Sequence, residues 1–214
     1  MTRVRKPYVK SGKGFTLVEL MVVMAIMVTI TAVVLSSQGS FNKTLILANT
    51  AYDIGLTIRS AESFGLGSRV SGSAVTGCAA NAGYGIHFQR GNSLLLFADT
   101  SPITPCATPD QKPGDYKYTG GSDTIAQTYV LGNGITVDDF CVYSSGIESC
   151  AIAHGGGLSS LDIVFARPNP DAVISADGSS YTSACITVTS PQGGYRYISV
   201  TVSGEITANV PVCQ

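Results

Sequence analysis

Few side chains in this sequence have chemistry to offer. Glu19 is the single acid inside a 21-residue run, Phe15 to Leu35, in which 17 residues are apolar and the other exceptions are Thr16, Thr29 and Thr31. A carboxylate in hydrocarbon costs roughly 2–3 kcal/mol or more unless it is paired, so Glu19 marks a function by default. The six cysteines, Cys78, Cys106, Cys141, Cys150, Cys185 and Cys213, all lie beyond that run. In an oxidising compartment an even count reads as three disulfides, with fifteen possible pairings. Sequence-local pairing gives Cys78–Cys106 across a long loop, Cys141–Cys150 across a turn and Cys185–Cys213 at the carboxy terminus. Zinc is the rival use of these thiols, but there is no CxxC, and neither His87 nor His154 stands at ligand spacing from a cysteine. The expected metal content is therefore none.

The remaining polar groups read as structural. His87 falls in a strand pattern as a cross-strand or partly buried side chain. His154 precedes Gly155-Gly156-Gly157, a loop that lacks the Lys-Ser/Thr of a phosphate cradle. Asp138 and Asp139 are adjacent, so on a strand they point to opposite faces and read as a solvated strand end. Asn169-Pro170-Asp171 to Asp177-Gly178 reads as a loop with some calcium-binding character but without a spaced ladder of acids. No catalytic residue and no cofactor is expected.

The elements that position Glu19 come from the charge distribution. The chain has 214 residues and a net charge of −1, from 13 Lys/Arg and 14 Asp/Glu. Arg3, Arg5, Lys6, Lys10 and Lys13 crowd the first fourteen positions with no acid among them, so the rest carries 8 basic and 14 acidic residues. As a helix the apolar run is about 31 Å long, enough to cross a bilayer. The cations before it hold the amino terminus in the cytoplasm and leave the acidic body outside. A cleaved secretory signal has a shorter apolar core and a small-x-small cleavage site, which this run lacks. A single span also excludes a polytopic membrane protein.

Lys13-Gly14-Phe15-Thr16-Leu17-Val18-Glu19 adds a resemblance. KGFTLVELMVV is similar to the class III signal of type IV prepilins and of the pseudopilins of type II secretion. The resemblance implies that prepilin peptidase cuts between Gly14 and Phe15 on the cytoplasmic side and that Phe15 becomes N-methylated. It also implies that Glu19 neutralises the new amine of a neighbouring subunit as helices slide into a filament core. Phe15 and Glu19 are one helical turn apart, on the same face. The implied partners are the peptidase, other pilin or pseudopilin subunits, an inner-membrane assembly platform and membrane lipid. Pro is missing from the middle of the run, where the family often has one.

After Ser36-Ser37-Gln38-Gly39 the helical pattern resumes. Leu47, Ala51, Ile54, Ile58 and Ala61 form one stripe, and Gly65 or Gly67 is the expected stop. A helix from about Phe15 to Ser63 follows, hydrophobic all round first and one-sided later, its second half needing a sheet to pack on. Strand signals dominate from about Val70. One hairpin is expected over Tyr84–Asp99, turning at Arg90-Gly91-Asn92. Another pairs Cys185–Thr189 with Tyr195–Ser203 across Pro191-Gln192-Gly193-Gly194, with Ile198, Val200 and Val202 on one face. Further strands are expected at Thr128–Leu131, Ile135–Tyr143 and Leu161–Phe165, and Ser101–Ser122 reads as a surface loop.

The expected organisation is a basic leader at 1–14, a spanning helix at 15–37, its amphipathic continuation at 38–65 and a disulfide-linked β-rich body at 66–214. The fold class is α+β, a long helix packed on antiparallel sheet. The order of Leu56–Ser63, Tyr84–Phe88 and a closing Ser199–Ile206 strand resembles the GspH/FimT group of minor pilins and pseudopilins. The implied function is structural: a subunit of a type IV pilus or of a secretion pseudopilus. DNA capture, which some of that group perform with basic residues near the carboxy terminus, is the alternative. Here Ser203 to Asn209 offers Glu205 instead, and from Gly65 onward 6 basic residues face 11 acidic ones, a field that opposes phosphate binding. An anchored extracellular enzyme is a third class, without a constellation of residues to support it.

Overall fold

The computed structural model describes residues 14–67, 82–101, 114–210 and 212–213. Cys78, Cys106 and residues 102–113 of the expected Ser101–Ser122 loop lie outside them. The chain divides into two units, Met1–Asn42 and Lys43–Gln214. Helical backbone, α1, extends over Leu17–Leu66.

In the second unit the helical stripe does what its spacing requires. Leu47, Ala51, Ile54, Ile58 and Ala61 are each at most 2% exposed, whereas Tyr52 and Leu56 on the other face are 51% and 64% exposed. Gly65 does not stop the helix. It lies inside it, where a Cβ would overlap the backbone carbonyl of Phe165. The glycine is what lets helix and sheet approach, and the helix ends one residue later, with Gly67 N–H donating to Ser63 O at 3.0 Å.

Among the described residues eleven strands follow: β1 Gly83–Phe88, β2 Ser93–Asp99, β3 Thr124–Val130, β4 Thr136–Ser144, β5 Ile147–Cys150, β6 Leu161–Ala166, β7 Asn169–Ala176, β8 Ser179–Tyr181, β9 Ser183–Thr189, β10 Tyr195–Thr201 and β11 Ile206–Val210. A six-stranded sheet has the order β3-β2-β1-β6-β7-β8, and a five-stranded sheet the order β11-β10-β9-β4-β5. Neighbouring strands pair antiparallel throughout. The result is the expected α+β arrangement. Ile86, Phe88, Leu96, Ile163 and Phe165 of the first sheet share one core with Phe140, Val142, Ile186, Val188 and Ile198 of the second and with the helical stripe.

Both expected hairpins are present. Leu94 pairs with Phe88 beyond the Arg90–Asn92 turn, and Tyr195 pairs with Thr189. Other expectations need correction. The closing Ser199–Ile206 segment is not one strand: β10 ends at Thr201, and a turn carrying Gly204 at φ 79° leads into β11. Val202 therefore leaves the face shared by buried Ile198 and Val200 and is 37% exposed. Asn169–Asp171, read as loop, begins β7, and Asp177-Gly178 is the turn into β8, with φ of 47° and 83°. Two positive φ angles at a two-residue connection fit the right-handed twist of paired strands.

Candidate functional site: an apolar helix carrying one acid

In the first unit Leu17–Ser36 is 20 residues long with a mean hydropathy of 2.6, and none of it is buried. Phe15 is 82% exposed, Leu17 74% and Val33 69%. So large a continuous apolar surface needs cover from lipid or from another chain. The polar side chains within the span are arranged for such surroundings. The hydroxyls of Thr29, Thr31 and Ser36 donate to the carbonyls of Ile26, Met27 and Val33 at 2.7–2.8 Å. Each hydroxyl is thereby satisfied inside its own helix, as hydrocarbon demands.

Glu19 sits in the first turn. Thr16 precedes the helix, and its Oγ1 accepts the backbone N–H of Glu19 at 3.2 Å, while its carbonyl accepts Leu20 N–H at 3.2 Å. Thr16 is thus the N-cap and Glu19 the third helical residue, the spacing of a capping box. Sequence reasoning passed over this cap, although Thr-x-x-Glu ahead of an apolar run is its signature. The position gives the carboxylate a favourable place near the positive end of the helix dipole. Its side chain remains exposed.

The second unit distributes the other candidate residues among structural tasks. The structure joins Cys141 to Cys150 and Cys185 to Cys213. Asp139, Cys141 and Cys150 form the one cluster of potential metal ligands among the described residues, but the two sulfurs are joined to each other. Asp139 is not a solvated strand end. A bulge interrupts pairing between Val137 and Asp139, and the carboxylate accepts the N–H groups of Phe140, Ile152 and Ala153 at 2.8–3.0 Å. Asp177 likewise accepts the hydroxyls and amides of Ser159 and Ser160. Partial burial acts to raise its pKa, but the Ser159 hydroxyl and these amides outweigh it and hold it below the ordinary carboxylate value.

His87 is a cross-strand residue, directly opposite Asp162. Its Nδ1 lies 2.6 Å from Asp162 Oδ1, both side chains being buried. Tyr118 packs over His87 and Phe97, with ring centroids 4.6 and 5.2 Å away. His154 lies apart, at the surface, with Nε2 3.3 Å from Glu148 Oε2.

A group of acids absent from the sequence reading holds the segment that carries Tyr118. Asp99, 1% exposed, accepts the N–H groups of Asp115 and Tyr116 at 3.1 and 2.8 Å. Asp123 accepts those of Thr100, Ser101 and Thr119 at 2.7–2.8 Å. Burial pushes Asp99 up to about 7, against the two backbone hydrogen bonds and with help from the charge of Asp123. Asp123 is also raised, chiefly by burial. These carboxylates clamp a loop to a sheet. Gly114 beside them has no room for a Cβ, which would overlap the Asp99 carboxylate, a local signal legible only with the fold in hand.

A model of the prokaryotic N-terminal methylation motif matches residues 10–35. Comparison with curated proteins and with solved structures returns no match. The motif covers the apolar helix, its cap and Glu19, so the matched segment and the exposed surface coincide.

Proposed function

We propose that this chain, whose methylation motif supports membership of the type IV pilins and pseudopilins, is a minor subunit of a type IV pilus or of a type II secretion pseudopilus. Prepilin peptidase cleaves between Gly14 and Phe15, Phe15 is N-methylated, and the apolar helix that follows, Leu17–Ser36, anchors the subunit in the inner membrane with its amino terminus towards the cytoplasm. The subunit then leaves the bilayer for an extracytoplasmic filament, helped by the assembly platform and by the other pilins it packs against. One observation carries the reading above the rest: a wholly exposed 20-residue apolar helix whose first turn holds its only acid.

The chemistry follows from that geometry. Cleavage creates an amine at Phe15, four residues before Glu19 and just ahead of the helix, which begins at Leu17 and not at Phe15 as the sequence suggested. In a bundle of such helices an unpaired carboxylate is strongly disfavoured, and a neighbouring subunit's amine is the cation that every copy supplies. Pairing therefore sets the axial register between subunits, while the apolar surface supplies the attraction. The GspH/FimT group is the best candidate subgroup, because a helix followed by two antiparallel sheets suits the order of elements seen here.

The test is expression with the cognate peptidase, followed by intact-mass analysis of the membrane-bound product. The expected mass is that of a chain beginning at N-methyl-Phe15. Glu19→Leu is expected to be cleaved and inserted but depleted from sheared filaments at least tenfold. Incorporation at the wild-type level would remove the pairing role.

A further inference from the structure

The outer face of the five-stranded sheet brings three cysteines into one row. Cys141 on β4 is directly opposite Cys150 on β5, and on its other side it is directly opposite Cys185 on β9. The neighbours of Cys141, Phe140 and Val142, and those of Cys185, Ala184 and Ile186, all point into the core. Alternation along a strand therefore sends the sulfurs of Cys141 and Cys185 to the same outer face. Cys213 approaches that face from beyond β11 and is bonded to Cys185. The resting bonds are thus Cys150–Cys141 and Cys185–Cys213, with Cys141 and Cys185 side by side but not bonded to each other.

Backbone geometry makes the third bond reachable. Cys141 and Cys150 have a Cα separation of 4.0 Å, that of a pair which exchanges no backbone hydrogen bonds. Ala151 N–H donates to Phe140 O at 2.9 Å, so residue 140 directs its backbone towards β5. Residue 141 then directs its backbone towards β9. Cys141 and Cys185 form a hydrogen-bonded antiparallel pair, for which the Cα separation is about 5.5 Å. This lies within the usual disulfide range of about 4.4–6.8 Å, and the bond forms once β4 and β9 draw together locally by about 1 Å, from the Cβ separation of about 5.5 Å in such a pair to the disulfide limit of about 4.5 Å.

We propose that the four cysteines form a redox-driven exchange relay, in which opening either resting disulfide lets the cross-link move to Cys141–Cys185. A dithiol reductant supplies two electrons and two protons to Cys185–Cys213 and leaves as its own disulfide. The Cys185 thiolate then attacks Cys141 Sγ. The Cys185–Cys141 bond forms as Cys141–Cys150 breaks, and the electron pair departs on Cys150 Sγ, which takes up the proton that Cys185 lost. Glu148 Oε1, 3.6 Å from Cys150 Sγ, is in place to accept a hydrogen bond from the released thiol. Opening Cys141–Cys150 first reaches the same product, because the Cys141 thiolate attacks Cys185 and Cys213 departs. In either order two disulfides become one, and it moves from the edge of the sheet to its centre. Edge strand β5 and Cys213 are untied together.

The full-length protein in detergent is treated with limiting dithiothreitol. Free thiols are trapped with N-ethylmaleimide in denaturant, and the peptides are mapped by mass spectrometry. The expected product carries label on Cys150 and Cys213 together, with a Cys141–Cys185 linked peptide as the major new species. Label confined to Cys185 and Cys213, or to Cys141 and Cys150, with the other disulfide intact, would overturn the relay. The double substitution Cys150→Ser with Cys213→Ser tests reach without any reduction step. With diamide as oxidant it is expected to form the Cys141–Cys185 bond, and Cys141 and Cys185 thiols that both remain reactive in denaturant, identified by peptide mapping, would overturn the proposal.

Discussion

The two ends of the helical stretch are made of similar residues and treated in opposite ways. Between Leu17 and Ser36 no part of the apolar surface is buried, whereas between Leu47 and Ala61 the apolar stripe is almost completely buried, by the sheets of its own unit. The difference is one of pattern. In the first segment apolar residues surround the helix, so no single partner surface within a small domain could cover it. In the second they recur every three or four residues, and one sheet interface suffices. A helix that is apolar all round therefore requires a solvent of lipid or of other helices, and a striped one requires a fold.

The sharpest way to break this contrast is the same truncation in both segments. Ile58→Ala removes a fully buried side chain and is expected to cost about 2–5 kcal/mol of unfolding free energy. Ile30→Ala, on a side chain 57% exposed, should leave the stability of the β-rich body within about 0.5 kcal/mol. Chemical denaturation in detergent, followed by near-ultraviolet circular dichroism of the body's tyrosines, separates the two. Equal losses would mean that the two segments are not energetically distinct. Gly65→Val should come next, at about 1–3 kcal/mol or more, because its side chain must displace the Phe165 backbone. Stability equal to wild type there would show that the helix can move off the sheet at no cost.

Acid groups sharpen the comparison within the β-rich unit. Asp99 is pushed up to about 7 by burial, so the fold holds it neutral while the unfolded chain ionises near 4. Stability from this group is fully present below about pH 4 and is lost as pH rises towards 7. Asp177 is shifted the other way, and its contribution is lost as pH falls below the ordinary carboxylate range. Denaturation midpoints at pH 5 and pH 8 should therefore differ by less in Asp99→Asn than in wild type. An unchanged pH dependence would locate the sensitive group elsewhere.

How much of this was legible beforehand depends on the range over which each signal acts. The leader, the apolar run and the Leu47–Ala61 stripe are properties of consecutive residues, and they read directly. The hairpins at Arg90–Asn92 and Pro191–Gly194 were equally local. The Asp177-Gly178 hairpin had a local signal too, an Asp-Gly pair, but the polar residues around it read as loop. Gly65 looked like a helix stop because its role, admitting the Phe165 backbone, depends on a contact 100 residues away in sequence. The Asp99 and Asp123 clamp was hidden for the same reason: its donors are backbone N–H groups, which any residue can supply. The adjacency of Cys141 and Cys185 needed the strand register, which composition and spacing do not contain.

The smallest expected effect bears on what Glu19 is for. As the third residue after the Thr16 cap, Glu19 stands where a side chain can also serve the start of the helix, and substitutions can part that use from the proposed intersubunit one. Thr16→Ala removes the oxygen that accepts Glu19 N–H and should cost about 1 kcal/mol at the helix start. It leaves the carboxylate in place, so filament incorporation should fall by less than about threefold. Glu19→Gln keeps a side chain able to serve the same local cap but removes the charge, and it should lose incorporation nearly as far as Glu19→Leu. Should Thr16→Ala and Glu19→Gln fall equally, the acid would matter for starting the helix rather than for meeting a neighbour's amine. The contrast between the two segments would then rest on apolar surface alone.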